Sequence, residues 1–485
     1  MAKDVIVLEF NELTPALVDR FCSEGHLPNF SRLRDRSIVA VTDAEAQFPH
    51  LEPWIQWVTV HTGLSHREHG VFDLSDGPAL KAPRIWDLVS EEGEKVWICG
   101  SMNAAVRGKN INGFLLPDPW ATDIEAYPRG YFAAYNGLVQ PYVQEYTAEK
   151  PPVGIGAMLS FARFMAANGL STQTVANIAR QLAGELRNPI KWKRALILDR
   201  LQWDVFRCIY KRERPKFSTF FLNSTAHFQH YYWRNMEPDL FASKSAPEVQ
   251  RTYADAVLAG YRQMDRLIGE CMAMAGPETA IVLCTALGQR PMLDYEETGG
   301  KQIFKVRDID ALCAFAGVSG HEYAPVMAEQ FYLFFPTEAE AADAERKFQA
   351  LRLDDGTPLM LARREGTRLF AGCSLVTAPH PDAAMLAGQS NASIPFLSLF
   401  YPVEAVRSGM HDPKGILWIA LPERRHLQVE REVSLLEIAP TLLEIADVRT
   451  AHAFDRSAMP EIGTGATGGL ASPIGQARGK AGHAA

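Results

Sequence analysis

Three histidines and one glutamate in this chain have the types and spacing that chemistry requires. His227 and His230 stand three residues apart just after an apolar run, and His411 opens the segment His411-Asp412-Pro413-Lys414-Gly415-Ile416 far downstream. Three converging imidazoles suit a single divalent ion, zinc or manganese, with one position left open for water or substrate. A metal-free reading of the same residues makes Glu52 a base, an acid or a carboxylate nucleophile, with His230 and His411 as proton-transfer partners or anion binders. Both readings stay open. Asn11 joins Glu52, His230 and His411 as a catalytic candidate. Glu9, Asn103, Asn223, Ser224 and Arg290 are candidates for holding a substrate, Arg290 as a guanidinium that pairs with an anion. Glu52, ahead of Pro53-Trp54, reads equally as a carboxylate favoured by a helix N-terminus.

Short apolar runs must position these groups. Val5-Ile6-Val7-Leu8 has the continuous hydrophobicity of a parallel strand buried on both faces, as does Val96-Trp97-Ile98-Cys99, and Phe217 to Leu222, Ala280 to Cys284 and Ile416 to Ala420 read as further core strands. Thr14-Pro15 opens a helical pattern that stops near Gly25, and Ser434 caps a helix carrying Leu435 to Ile445. Strands alternating with helices predict an α/β sheet covered on both faces, with the candidates delivered to the strand C-termini where open sheets carry their sites. Residues 132–211 read as a helical insertion rich in basic residues, either a solvated face or a membrane-surface helix or lid. Residues 292–405 hold a small α/β insert, with a strand at Gln330 to Phe335 and a helix over 337–350. The core is expected at 1–131, 212–291 and 406–454, and the Gly/Ala/Ser/Pro-rich stretch 455–485 reads as a disordered tail.

At 485 residues, with a net charge of -8 and a pI near 5.9, the chain lacks the basic excess of a general nucleic-acid binder. Its seven cysteines are widely spaced without a CxxC pair, so neither a zinc ribbon nor a disulfide framework is expected. No segment is long and apolar enough to span a bilayer, and Met1-Ala2-Lys3-Asp4 runs straight into a strand without a leader pattern. A cytoplasmic protein is expected.

Taken in order, several segments resemble the alkaline phosphatase superfamily, most closely its type I phosphodiesterase/nucleotide pyrophosphatase branch. They are the opening strand with Thr14-Pro15 and Leu27-Pro28-Asn29-Phe30, then Trp57 through Thr62-Gly63 and His69-Gly70-Val71-Phe72-Asp73. Gln229-His230-Tyr231-Tyr232-Trp233, the segment at His411, and the closing helix with Ala439-Pro440-Thr441-Leu442-Leu443 follow. The resemblance implies an alkaline-phosphatase-like, mostly parallel central sheet. It also implies two metal ions, usually zinc, and a Thr or Ser nucleophile attacking phosphorus.

The chain departs from that pattern at the chemistry. Asn11 stands at the first aspartate, and Glu52 or Pro53 at the nucleophile. Ala226 stands four residues before His230 where the family has an aspartate, and Ala286-Leu287 replace an Asp-His pair. Of the implied ligands only His230 and His411 remain, which argues against a binuclear zinc centre. The expectation is a non-standard hydrolase or transferase acting on a phosphate-, phosphonate- or sulfate-bearing small molecule or glycan precursor. An inactive binding protein and a conventional metal-dependent phosphodiesterase are the alternatives, and fold alone does not choose among them.

Overall fold

The structure, a computed structural model, describes residues 4–463 except 75, 109, 122–123, 145–152, 327–328, 389–391, 404 and 424. The main sheet is built on β1 (Asp4–Phe10), β2 (Ile38–Asp43), β3 (Val96–Cys99), β4 (Gly113–Leu116), β5 (Phe217–Leu222) and β6 (Thr279–Cys284). Its order is Leu427–Gln428, β2, Lys414–Ala420, β6, β1, β5, β3, β4. The pairs β6–β1, β1–β5, β5–β3 and β3–β4 are parallel, whereas Lys414–Ala420 runs antiparallel to both β2 and β6.

Burial on both faces explains the unbroken apolar runs: every residue of β5 and β6 is buried, as is all of β1 beyond Asp4. Period-2 alternation divides β1 between two cores. Ile6, Leu8 and Phe10 join one core with residues of the helices Pro15–Ser23, Pro28–Arg34, Arg194–Glu213, Ser224–Met236 and Ala256–Met274. Val5 and Val7 join the other with residues of Pro53–Thr62, Ile85–Glu91 and Ile438–Ile445. The fold is the α/β class expected, with helices on both faces of a mostly parallel sheet.

Among the described residues between Ala133 and Glu213, helices run over Ala133–Gln144, Ile155–Ala167, Thr172–Glu185 and Arg194–Glu213. Further on, a four-stranded antiparallel sheet orders Met360–Glu365, Arg368–Cys373, Phe331–Phe334 and Glu322–Pro325. The helix Glu338–Gln349 closes this sheet over a third core that includes Leu333, Phe348 and Leu369. Arg368 joins this unit to the main body through a 2.6 Å ion pair with Asp73, to which the Tyr332 hydroxyl also donates.

Within the stretch that the sequence reads as a tail from 455, a few residues before 464 contact the core. Met459 is buried and its N–H donates to Thr441 Oγ1 at 2.9 Å, while Asp455 accepts from the Ser65 N–H at 3.0 Å. Apolar Met459 and Ile462 join one buried cluster with Ile438, Leu442 and Ile445 of the closing helix, a contact that composition does not reveal. Residues 464–485 lie outside the described residues. Among the described residues no helix is long and apolar enough to cross a membrane.

Candidate active site

The C-terminal ends of β1, β3 and β5 open onto a cavity of about 2490 Å³ whose wall includes Glu12, Gly100, Leu222, Glu52, His230 and His411. This is the rim at which open α/β sheets carry their sites. At its floor Glu12, His230 and His411 converge, with one donor atom from each lying within 4.8 Å of the others. Glu12 Oε2 is 3.0 Å from His230 Nε2 and 3.5 Å from His411 Nε2.

Both imidazoles are aimed by backbone carbonyls. His230 Nδ1 lies 3.0 Å from the Gly409 carbonyl and His411 Nδ1 lies 2.9 Å from the Leu51 carbonyl. A carbonyl only accepts, so each Nδ1 carries a proton, and each Nε2 is turned toward Glu12. Gly409 is required here, because a β-carbon would collide with the Gln229 carbonyl and the Gln289 side chain. His411 pairs in register with Gln289 across the antiparallel strands Gly409–Asp412 and β7 (Gly288–Pro291), so both residues reach Glu12 from the same ribbon.

Glu12 is held from all sides. Asn11 Nδ2 donates to Glu12 Oε1 at 2.7 Å, Gln289 Nε2 donates to Oε2, and Gln229 Nε2 donates to the Glu12 carbonyl at 2.7 Å. Its backbone is left-handed, with φ +57°, a conformation that strains any residue with a β-carbon. Burial opposes ionisation of this carboxyl, but the neighbouring imidazoles and the hydrogen bonds from His230 and Gln289 outweigh it and hold it down at about 2. Burial pushes His411 down to about 4, against the pull of Glu12. At neutral pH the cluster is one carboxylate beside a neutral His411, the protonation states that metal ligation requires. Two imidazoles and a carboxylate fit a single divalent cation, and the fit is seen in the two Nε2 atoms and the carboxylate converging within 4.8 Å.

Glu52 caps the helix Pro53–Thr62, its carbonyl accepting from the Ile55 and Gln56 N–H groups at 3.0 and 2.9 Å. Its carboxylate lies 3.5 Å from His411 Nδ1. Burial pushes the Glu52 carboxyl up to about 8; Arg407 opposes the rise and the charges of Glu12 and Glu329 add to it. Arg290 and Arg407 supply positive charge to the same wall, Arg290 lying 4.0 Å from Asp412.

The structure rearranges the roles read from sequence. Glu52, His230 and His411 do share one cavity. His227 lines it too, but Glu12 takes its expected place in the cluster: the His227 ring packs on Tyr231 at 4.9 Å, and burial drives its pKa to about 3. The spacing of three put both imidazoles on one helix without fixing where each points. Asn11 is fully buried behind Glu12, donating to Asn223 Oδ1 at 2.7 Å and accepting from Trp57 Nε1 at 2.8 Å, so it orients Glu12 and stays off the cavity wall. Glu9 also turns away. Strand alternation sends it with Val5 and Val7 to the opposite face, where it meets His61 at 2.9 Å and accepts from Ser101 at 2.6 Å. Asn103 is buried in a loop brace, donating to the Trp54 and Asp73 carbonyls.

Asn223 and Ser224 reach the cavity, with Ser224 Oγ donating to Asp199 at 2.5 Å; burial raises the Asp199 carboxyl to about 7. Glu12 and Asp199 are the residues sequence reasoning missed. The signal for Glu12 was a charged side chain one position beyond the expected ligand, at a sharp turn after a strand.

The profile of the family described as "Type I phosphodiesterase / nucleotide pyrophosphatase" matches residues 5–346. Among solved structures, the phosphonoacetate hydrolase from Sinorhizobium meliloti 1021 in complex with phosphonoformate aligns at 13% identity, covering 92% of this chain and 96% of that one, with a TM-score of 0.42. Human ectonucleotide pyrophosphatase/phosphodiesterase 5 aligns at 10% identity, covering 94% and 97%, with a TM-score of 0.42. No curated relative matches the chain.

Proposed function

The chain belongs to the type I phosphodiesterase/nucleotide pyrophosphatase family, and on that premise we propose that it is a single-cation hydrolase or transferase acting on a small phosphate, phosphonate or sulfate ester. The observation that carries this reading is the convergence of Glu12, His230 and His411, each oriented by a second hydrogen bond. These three residues would hold one divalent ion, zinc or manganese, which when bound supplies positive charge to the substrate's oxygens. Asn11, Ala226, Ala286 and Leu287, at the positions of the other implied ligands, offer no anionic donor for a second ion, and the nucleophile position falls on Glu52 or Pro53, neither of them a hydroxyl.

The chain's own residues then do the following work. Arg290 and Arg407 draw the anionic group to the cavity wall. Glu52 sits beside the cluster and transfers a proton to the leaving oxygen as its bond to phosphorus or sulfur breaks. Water, or the hydroxyl of an acceptor molecule, forms the new bond to phosphorus or sulfur and releases its proton, which returns Glu52 to its protonated form. Asn223 and Ser224 hydrogen-bond the substrate from the opposite wall. The volume of the cavity accommodates a substituent much larger than the ester itself, as on a glycan precursor.

Elemental analysis of the purified protein tests the reading, together with turnover of aryl phosphodiester, phosphonate and sulfate substrates. One equivalent of a divalent metal and turnover of at least one substrate class are expected. Two equivalents would restore a conventional binuclear centre. Anion binding without turnover on any class would make the chain a binding protein.

A further inference from the structure

We propose that the helices Ile155–Ala167 and Thr172–Glu185 form a docking face for an anionic lipid bilayer. Three observations carry this. The helix Ile155–Ala167 is apolar on two sides but covered on one: Phe161, Phe164 and Met165 pack inward against Tyr131, Phe132 and Tyr135, while Ile155, Met158 and Leu159 face solvent. The next helix is inverted, burying Thr174 and Gln181 and presenting Val175, Leu182 and Leu186 at helical spacing on the outside. Ile155 and Leu186 are 76% and 87% exposed, which a helix serving only its own core would not tolerate across two successive stripes.

The third observation is charge. In a chain of net charge -8, residues 153–194 carry Arg163, Arg180, Arg187, Lys191, Lys193 and Arg194 against the single acid Glu185. Apolar stripes flanked by Lys and Arg match a surface that is greasy beneath and anionic above, the pattern of helices lying in a bilayer interface. A protein partner would have to combine the same two properties on one face, and a second copy of this acidic chain offers them less well. The face runs directly into the cavity wall, which Arg187, Lys191 and Trp192 help to form, so a docked molecule opens its cavity beside the lipid headgroups. Docking is independent of the chemistry assigned to Glu52 and to the Glu12 cluster.

Flotation of the full chain with vesicles of phosphatidylcholine alone, or mixed with phosphatidylglycerol, tests the proposal. Binding is expected to the mixed vesicles, weak to the neutral ones, and reduced by high salt. The paired changes Leu182→Gln with Leu186→Gln, and Ile155→Gln with Met158→Gln, are each expected to lower partitioning about tenfold or more. Arg187→Gln with Lys191→Gln should lower it similarly at low salt only. All these side chains are exposed, so melting temperature is expected to hold, and whichever pair folds is decisive. Failure of the wild-type chain to bind mixed vesicles at low salt, or variants that bind as well as wild type, would overturn it. So would a dimer in sedimentation velocity that the leucine changes dissociate, since a second copy would then occupy the face.

Discussion

Glu12 Oε2 lies 3.0 Å from His230 Nε2, and the residue that delivers it is held in a left-handed turn at φ +57°. The carboxylate thus comes from the end of β1, where the resemblance implies one from the helix carrying His230. Conversion of Glu12 to Gln, or of either His230 or His411 to Ala, is expected to abolish the bound metal equivalent. Activity should fall by about 100-fold or more, beyond the loss usual for a supporting residue. Metal content measured beside turnover checks it, and a Glu12→Gln protein with full metal and full rate would disconnect the cluster from function.

The strain at this position separates backbone cost from side-chain function. Both Glu12→Gly and Glu12→Ala remove the carboxylate, but only glycine relaxes in the left-handed region. The glycine variant is expected to be more stable than the alanine variant by about 1 kcal/mol in urea unfolding. Equal stabilities would mean that the turn relaxes when Glu12 is lost.

Glu52 is assigned a proton-transfer role rather than a ligand role. Glu52→Gln keeps size and the helix cap, so metal content is expected to stay at the wild-type level while kcat drops by ~10²–10⁴-fold. A substrate with a highly acidic leaving group should lose far less, because its oxygen departs without a proton. A uniform loss across leaving groups would point to a structural role.

Asp199, buried against Ser224, carries a folded-state pKa raised to about 7 from an ordinary 3.8. Between those values the folded chain holds a proton that the unfolded chain has released. The contribution is therefore fully present below about pH 4 and is lost as pH rises through about 7, at ~1.4 kcal/mol per unit. Asp199→Asn is expected to flatten this dependence, with urea midpoints at pH 5 and pH 8 lying closer together than in wild type. An unchanged gap would assign the dependence to other groups.

What sequence could reveal follows from what each signal measures. Apolar runs such as Val5–Leu8 and Ala280–Cys284 are dictated by burial on two faces, so the strands were readable, but their direction was not: the equally apolar Lys414–Ala420 runs antiparallel to both its neighbours. Glu52, His230 and His411 were picked out by their places in the motifs of the resembled family, and the fold brings all three to one cavity. Side-chain direction was not readable. Glu9 and Asn11 flank one position of β1, yet neither reaches the cavity, because pleat alternation and the hydrogen bond from Trp57 turn them to the other face. Glu12 depended on a φ value that no residue type announces except glycine, and Gln289 reaches it across 277 positions of chain. The burial of Met459 was hidden by the composition around it.

The Leu51 carbonyl that aims His411 belongs to the residue just before Glu52. One short stretch of backbone therefore sets the pose of an imidazole in the cation cradle and the reach of the carboxyl beside it. Any adjustment of that stretch to an incoming substrate moves both together, like two tools on one handle. On the proposed function, that shared backbone would keep proton delivery and charge neutralisation in step.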